Sequence, residues 1–374
     1  MSILDLRTYK DRTIAVGLSG GVDSSTALAL LHEAGAKVFG LTMKIWRDGA
    51  TPVTAIGDAC YGPGEKEDVA ACEALCSSLG VPYLSLDLSA EYEKRILGYF
   101  KDEYLNGRTP NPCVRCNQEM KFGFLLEQAR AAGTDFEFFA TGHYARIEDR
   151  NGIPMLRRAA DESKDQSYFI HRLPPEILAK ILFPLGGLSK AEVRAEARRL
   201  GLAAAEKPES QDFVAGGYGS LFGSDRPGDI VDESGTVLGR HRGIVHYTIG
   251  QRRGIGISTG PLPLYVVALD AALNRVVVSR DESLFCAAVI GDDAILHDRA
   301  LESATFEAFV RIRQNHRPAR ALVSVSGKTA RIDFDEPQRA AAPGQSAVFY
   351  DADGFALGGC IIESSERPGA KAPA

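Results

Sequence analysis

The sequence predicts an α/β fold, a parallel sheet wrapped by helices and followed by one or two small β domains, and three observations carry that expectation. From residue 13 to about 146, short apolar runs alternate with longer amphipathic ones, which is the pattern of a parallel sheet with helices on both faces. The first apolar run breaks at Ser19-Gly20-Gly21 and passes at once into a helical pattern. After about residue 208 the helical patterns give way to short alternating runs punctuated by Gly, Pro and Asp, which are hairpin signals at close spacing.

Taken in order, "TIAVGL" (13–18), "AKVFGLTMKIW" (36–46), "PYLSLDL" (82–88) and "FEFFATGHYA" (136–145) read as strands. The stretches 23–34, 65–80, 90–105 and 118–132 read as helices. A further helix is expected at 189–200, because Ser189 and Glu192 are spaced as a capping box ahead of "VRAEARRLGL". The hairpin signals are "DIVDESGTVLG", "LYVVALDAALNRVVVS", "ALVSVSGKTARIDFDEP" and "SAVFYDADGFALGGCII". The expected divisions are therefore 1–207 for the sheet domain, 208–282 for a central β domain, 283–364 for a C-terminal β-barrel, and 365–374 for a polar, disordered tail.

Composition narrows the function. A chain of 374 residues, 45% apolar and 25% charged, is long enough for two or three domains with real cores. No apolar run approaches the ~20 residues needed to cross a bilayer, and the N-terminus lacks the apolar segment of a signal peptide, so the cytoplasm is the expected address and no membrane is expected as a partner. Seven cysteines are an odd number and too sparse for a disulfide scaffold, so clustered thiols read as metal-binding or catalytic. The net charge of −6 argues against an all-over basic surface, but the cations are bunched. "RHRGIVHYTIGQRR" (240–253) and "RIRQNHRPAR" (311–320) each hold four Arg and no acid. Either alone could be a solvated, ion-paired face; together they point to a polyanion.

A strand that ends in Ser-Gly-Gly and leads directly into a helix presents backbone N–H groups and a positive dipole end to whatever lies above it. That is an anion site, with Ser19, Ser24 and Ser25 as further donors. No Gly-Lys-Ser/Thr follows, so it is not a Walker loop. The plainer alternative is a tight turn with Asp23 capping the helix. The stretch resembles the loop of the pyrophosphatase-loop ATP enzymes (adenine nucleotide alpha-hydrolase-like), which cleave ATP between its α and β phosphates. That resemblance implies ATP, with Mg²⁺ to offset the phosphate charge.

"NGRTPNPCVRCNQEMKFG" (106–123), "ATGHYAR" (140–146), "KDQSYF" (164–169), "LFPLG" (182–186), "YTIGQRRG" (247–254) and "PGQSAVFYDADGFALGGCIIE" (343–363) occur in one order. Together they resemble the tRNA-specific 2-thiouridylase family, from about residue 10 to about 364. The resemblance implies a pyrophosphatase-loop domain, a small central β domain and a C-terminal barrel. It further implies adenylation of the C2 oxygen of a tRNA wobble uridine, sulfur attack and loss of AMP. Residue by residue, it places Gly17, Leu18, Ser19, Gly20, Gly21, Val22, Asp23, Ser24, Met43 and Gly142 at ATP, and Asn111, Pro112 and Cys113 at the target base. Cys116 falls on the nucleophilic cysteine, while Lys164, Asp165, Gln166, Arg313 and Gln314 fall on tRNA-contacting segments. The partners implied are tRNA and a persulfide or sulfide donor protein.

The chain also departs from that pattern. The family has an Asp where Cys113 stands, and a second cysteine, expected to carry the persulfide, just after Ser210-Gln211-Asp212; here no cysteine lies between 116 and 286. Cys113-Val-Arg-Cys116 is then open to three readings: a redox dithiol, two ligands of an iron–sulfur cluster or zinc with Cys60 as the third, or two structural thiols. Arg108 and Arg115 would favour thiolate in the first two. Cys72 and Cys76, i and i+4 on one helix, read as core, as do Cys286 and Cys360 in β segments. His143 reads as scaffold rather than base. Two other functions stay open: another adenylating enzyme, amidotransferase or ligase, and a non-catalytic tRNA-binding relative.

Overall fold

The computed structural model describes residues 4–47, 59–208, 212–214, 218–222, 226–257 and 262–369. The chain divides into two compact units, one holding Met1–Ile96, Cys113–Gly217 and Gly354–Ala356 and the other Leu97–Pro112, Tyr218–Asp353 and Leu357–Ala374.

The first unit is built on a five-stranded parallel sheet. Its strands are β1 (Thr13–Gly17), β2 (Lys37–Lys44), β4 (Tyr83–Asp87), β5 (Phe138–Thr141) and β8 (Ile181–Leu182), in the order β4-β2-β1-β5-β8. From β1 the chain winds outward through β2 and β4, then returns to lay β5 and β8 on the other side, so the winding reverses between β1 and β5. At such a reversal the loops beyond the carboxyl ends of the strands part and leave a ligand crevice. β1 is buried through Ile14, Ala15 and Val16, because helices cover both faces. On one face α1 (Val22–Glu33) and α2 (Glu65–Leu79) pack Leu28, Leu31, Cys72 and Cys76 against Val16 and Val38. Gly40 lets α2 approach, since a Cβ there would lie 2.5 Å from Cys76 Sγ. The helix Lys190–Arg199 opens on the expected capping box of Ser189 and Glu192 and packs Ala197 against Val22 and Ala29.

Two expected helices are not uniform. The first runs as Ser89–Tyr92, a π-helical Glu93–Gly98, then Tyr99–Leu105; the second begins early at Pro112–Arg115, widens into a π-helix over Cys116–Phe124, and ends as Leu125–Ala131. A hairpin of β6 (Ala145–Arg150) and β7 (Ile153–Arg158) and a short parallel pair of β3 (Ala59–Tyr61) with β9 (Asp212–Val214) were not anticipated from the sequence.

The second unit holds a four-stranded sheet and a closed barrel. The sheet runs β11 (Val237–His241), β10 (Gly228–Val231), β13 (Arg275–Ser279), β12 (Tyr265–Asp270). The barrel comprises β14 (Phe285–Leu296), β15 (Thr305–Arg311), β16 (Ala319–Ser326), β17 (Thr329–Arg339), β18 (Ser346–Tyr350) and β19 (Ala356–Glu366). Alternate residues such as Val289, Val310, Val323, Ile332, Phe349 and Cys360 fill its interior. β19 pairs with β14 through Ser365 and Glu366, two residues into the stretch expected to be a disordered tail, because β14 is long enough to supply partners that far. Residues 97–112, within the span expected to be the first domain, belong to the second unit. There Thr109 N donates to the Pro343 carbonyl (2.7 Å), Gln345 Nε2 donates to the Thr109 carbonyl (2.8 Å), and Arg108 bridges Glu103 (2.7 Å) and Glu363 (2.6 Å). The motifs "NGRTP" and "PGQ" thus brace one another.

Candidate active site

The loop after β1 lies at the reversal of strand order. Gly20 adopts φ +72°, and a Cβ there would meet Asp68 Oδ1 at 2.8 Å, so both conformation and space require glycine. Gly21 is the N-cap of α1 and makes no side-chain cap bond; Asp23, in the first turn, does not cap the helix. Ser19 N donates to Ser24 Oγ (3.2 Å), and Ser25 Oγ donates to the Gly21 carbonyl (2.9 Å). Gly142, just past β5, closes against the start of α1, where a Cβ would fall 2.6 Å from Ser24 N. The turn is therefore closed by backbone contact on two sides. Of the residues from Gly17 to Ser24, Leu18 and Val22 are buried in the core and can offer a ligand only their backbone. Met43 stands near the end of β2, beyond which Glu65 accepts from the backbone N–H groups of Ile45 (2.6 Å) and Trp46 (3.1 Å). Burial pushes the Glu65 carboxyl above its usual range.

Two lysines flank this loop that no sequence motif singled out. Lys190 Nζ donates to both Asp23 oxygens (2.8 and 2.9 Å), and Tyr144 OH donates to Asp23 Oδ1 (2.8 Å). Lys207 Nζ bonds Asp68 and lies 3.3 Å from the Gly20 carbonyl. The Ser189 capping box located the helix but gave no sign that its first residue turns toward residue 23; that contact spans 167 positions and only the fold creates it.

His143 packs on Phe122 of the π-helix that begins at Cys116. The His143 ring lies 5.8 Å from Phe122 and 5.9 Å from Phe183, and its Nδ1 pairs with Thr141 Oγ1 (2.7 Å). Burial drives its pKa well below the usual value, with Lys121 adding to the effect, so it stays neutral. Cys60, Cys113 and Cys116 influence one another electrostatically and all act on the buried Tyr92 phenol. Burial pushes Cys113 up to about 12 and Cys116 up to about 11, and it raises Cys60 as well. Cys60 is exposed as a residue, but its thiol end is crowded by protein atoms. The expectation that Arg108 and Arg115 would lower these pKa values is not met: Arg108 is held by Glu103 and Glu363, and Arg115 by Glu119 (2.8 Å). Lys121 is the cation that opposes the rise at all three thiols. It follows Cys116 by five positions, and a π-helix bonds residues five apart, which brings the two to one face.

The structure does not show the metal reading of Cys60, Cys113 and Cys116. Among the described residues no group of three or more His, Cys, Asp or Glu side chains could hold a metal ion. Near the loop, Asp23 and Asp68 are each engaged by a lysine.

The remaining expected contacts divide by burial. Asp165 is buried and accepts from Ala159 N (3.0 Å), Ser167 N (3.2 Å) and Ser167 Oγ (3.0 Å). Gln166 Oε1 accepts from Tyr144 N (2.9 Å), so both residues organise their loop, with Lys164 beside them. Asn111 and Pro112 precede Cys113 directly. Arg313 and Gln314 lie between β15 and β16, where buried Arg311 bonds the Gln314 carbonyl and His316 Nε2 pairs with Gln338 Oε1 (3.0 Å). Arg320 is ion-paired with Glu307 (2.8 Å) and Asp335 (3.6 Å). Ser210 and Gln211 lie outside the described residues.

With this geometry in hand, three families match the chain in series: a tRNA methyl transferase HUP domain at 12–215, a tRNA methyl transferase PRC-barrel domain at 220–280, and an aminomethyltransferase beta-barrel domain at 289–362. A tRNA-specific 2-thiouridylase of Endomicrobium trichonymphae is 41% identical over 355 residues, covering 93% of this chain and 98% of the relative. One from Geobacter metallireducens is 42% identical over 370 residues, covering 96% and 98%. A solved 4-thiouridine synthetase–RNA complex with bound ATP overlays 55% of this chain and 46% of its own, at 16% identity and a TM-score of 0.35, too loosely to bear on the site.

Proposed function

Because the chain belongs to the tRNA-specific 2-thiouridylase family, we propose that it is an ATP-dependent tRNA-uridine 2-sulfurtransferase acting on the wobble base. The observation that carries this reading is the intact Ser19–Ser24 loop, closed against Gly142 at the strand-order reversal and followed through His143 and Phe122 to the π-helix of Cys116. Backbone N–H groups at the start of α1 receive the phosphates. The uracil C2 oxygen attacks the α-phosphorus and pyrophosphate leaves; C2 then carries AMP, a far better leaving group than oxide. Mg²⁺ arriving on the ATP phosphates would offset their charge. A single-stranded anticodon base costs least to unstack, which suits a reaction at the base edge.

Sulfur transfer falls to Cys113 and Cys116. A donor protein loads Cys113 as a persulfide, whose terminal sulfur attacks C2 and expels AMP. Cys116, once deprotonated, attacks the Cys113 sulfur, which breaks the S–S bond, releases the 2-thiouridine and leaves a Cys113–Cys116 disulfide for a thiol reductant to reopen. Cys60 is not needed for this sequence. Among the described residues no helix is long and apolar enough to cross a membrane, and the cytoplasm is the compartment in which tRNA, ATP and a persulfide donor meet. The test is thiolation of an unmodified tRNA transcript with α-labelled ATP and a persulfide donor. Equal yields of AMP and thiolated tRNA support the reading; AMP with an amide or amino-acid adduct would favour an amidotransferase or ligase, and tRNA binding without AMP a non-catalytic relative.

A further inference from the structure

We propose that Glu65 determines the base specificity of the nucleotide site: by holding the chain that leaves β2, it fixes the Met43 backbone in the register that accepts adenine and rejects guanine. The proposal rests on the reading of this chain as an ATP enzyme with Met43 at the base.

The ladder around β2 decides which way each residue faces. Gly40 N donates to the Pro82 carbonyl and Leu88 N to the Lys44 carbonyl (2.9 Å each), so residues 40 and 44 face β4. Leu18 N donates to the Leu41 carbonyl (2.9 Å), so residue 41 faces β1. Alternation along the strand then turns the Met43 backbone to the β1 side as well. But β1 ends at Gly17, whose partner is Leu41, and the Leu18 carbonyl, the next acceptor on that ladder, is taken by Thr42 Oγ1 (3.2 Å). The Met43 N–H and carbonyl are thereby left side by side beyond the end of β1, one donor and one acceptor. The Watson–Crick edge of adenine offers the complementary pair, N1 as acceptor and the 6-amino group as donor; guanine reverses both. A hydrogen-bonding edge of this kind discriminates strongly only when it is held in place.

Glu65 supplies that restraint. It is the first residue of α2, and its side chain reaches back to the strand end 20 positions earlier. Glu65 Oε1 accepts from both Ile45 N (2.6 Å) and Trp46 N (3.1 Å), and Oε2 accepts from Trp46 N as well (3.1 Å). Two successive N–H groups drawn to one carboxylate take the chain out of its extended course directly after Lys44, so β2 stops there. The strand cannot slide past that point, and a slip of one residue is what would turn Met43 away from the β1 side. The Trp46 ring is fixed in turn, packed edge-on against buried Tyr61 with centroids 4.9 Å apart. Glu65 acts through Met43 rather than on the reacting atoms, which makes it a positioning residue.

A Glu65 that merely started its helix would serve every nucleotide alike; one that sets the Met43 edge serves only adenine. Calorimetric titration of the full chain with ATP, GTP and inorganic pyrophosphate separates the two. Glu65→Met, which keeps the length and removes the acceptors, is expected to weaken ATP at least fivefold while GTP and pyrophosphate each change less than twofold. Glu65→Gln should recover most of the loss, because one amide oxygen can replace Oε1, which accepts from both N–H groups. ATP affinity within twofold of the unaltered chain in Glu65→Met, or equal weakening of ATP and pyrophosphate, would overturn the proposal. If Glu65→Met does not fold, hydrogen exchange of the unaltered chain supplies the reading: residues 43–47 should gain protection with ATP and none with pyrophosphate or GTP, and equal protection by ATP and pyrophosphate would overturn it. Gly20→Val distinguishes the two levels of the argument. If it abolishes pyrophosphate binding while Glu65→Met keeps its preference for ATP over GTP, the ATP reading stands and Glu65 fails; if it binds pyrophosphate normally, the ATP reading itself fails and the proposal falls with it.

Discussion

At Gly20 the backbone and the space around it agree: a left-handed φ of +72° and a Cβ position 2.8 Å from Asp68 leave room for no other residue. Gly20→Val should therefore abolish tRNA-dependent AMP release, read by thin-layer chromatography of labelled ATP, while the far-ultraviolet circular dichroism stays that of the unaltered chain. The cysteines give a pH-dependent expectation. Because burial holds the Cys116 thiol at about 11, the folded protein keeps it protonated at neutral pH. Its alkylation by iodoacetamide should be slow at pH 7 and climb about tenfold per pH unit toward pH 10, since the thiolate is the nucleophile. Lys121→Met should slow it further at every pH in that range, because removing the cation raises the thiol pKa again; a rate that plateaus near pH 8 would contradict the assignment. In the thiolation assay Cys113→Ser and Cys116→Ser are each expected to lose all turnover, and Cys60→Ser to keep most of it. Full activity of Cys113→Ser would remove the dithiol mechanism, and loss of activity with loss of bound iron in Cys60→Ser would restore the cluster. Gly20 and both cysteines were legible because local spacing marks them. Lys190, Lys207 and Lys121 were not, because a lysine acquires meaning only from the partner that folding brings to it.

At the scale of elements, the signals that worked were those that act within one turn. Ser189 and Glu192 fix the start of the helix Lys190–Arg199 through reciprocal bonds, and that geometry needs no tertiary partner. Ser189→Ala should cost about 1 kcal/mol by thermal or urea unfolding, the usual value of an N-cap. The π-helix Cys116–Phe124 was not legible: its apolar Met120, Phe122 and Phe124 stand two apart, so these nine residues carry no helical period from which a pitch could be read. Yet that pitch sets Lys121 beside Cys116. The hairpin β6–β7 escaped for a different reason. Its half-buried positions carry Arg146, Glu148 and Arg157 as an ion-paired network, with Arg146 bonded to Glu148 (3.0 Å) and Arg157 to the same carboxylate (2.7 Å), so the alternation expected of a strand is masked by charge.

For the whole molecule, the net charge of −6 forbids general attraction to RNA, so binding must come from cations that are not already neutralised. The structure sorts the 311–320 stretch accordingly. Arg311 is buried and bonded to the Gln314 carbonyl, and Arg320 is shared between Glu307 and Asp335. Arg313 and Arg317 have no acidic partner among the described residues, and Arg317 is exposed. The sequence could place four arginines together but could not say which of them face acids on neighbouring strands, because β16 and β17 bring Asp335 beside Arg320 only when the barrel closes. Arg317→Ala and Arg313→Ala are therefore each expected to weaken tRNA binding and to flatten the plot of log affinity against log salt by about 0.7 to 0.9 units for every phosphate that the missing guanidinium had neutralised. Arg320→Ala should leave that slope unchanged, since its charge is spent on two carboxylates. Filter binding of a tRNA transcript across a salt series reads all three variants together. A slope equal to that of the unaltered chain in Arg313→Ala and Arg317→Ala would show that this face of the barrel is solvated and that the tRNA is held elsewhere; the exposed Arg252 and Arg253, at the end of the other basic stretch, would be the next pair to replace.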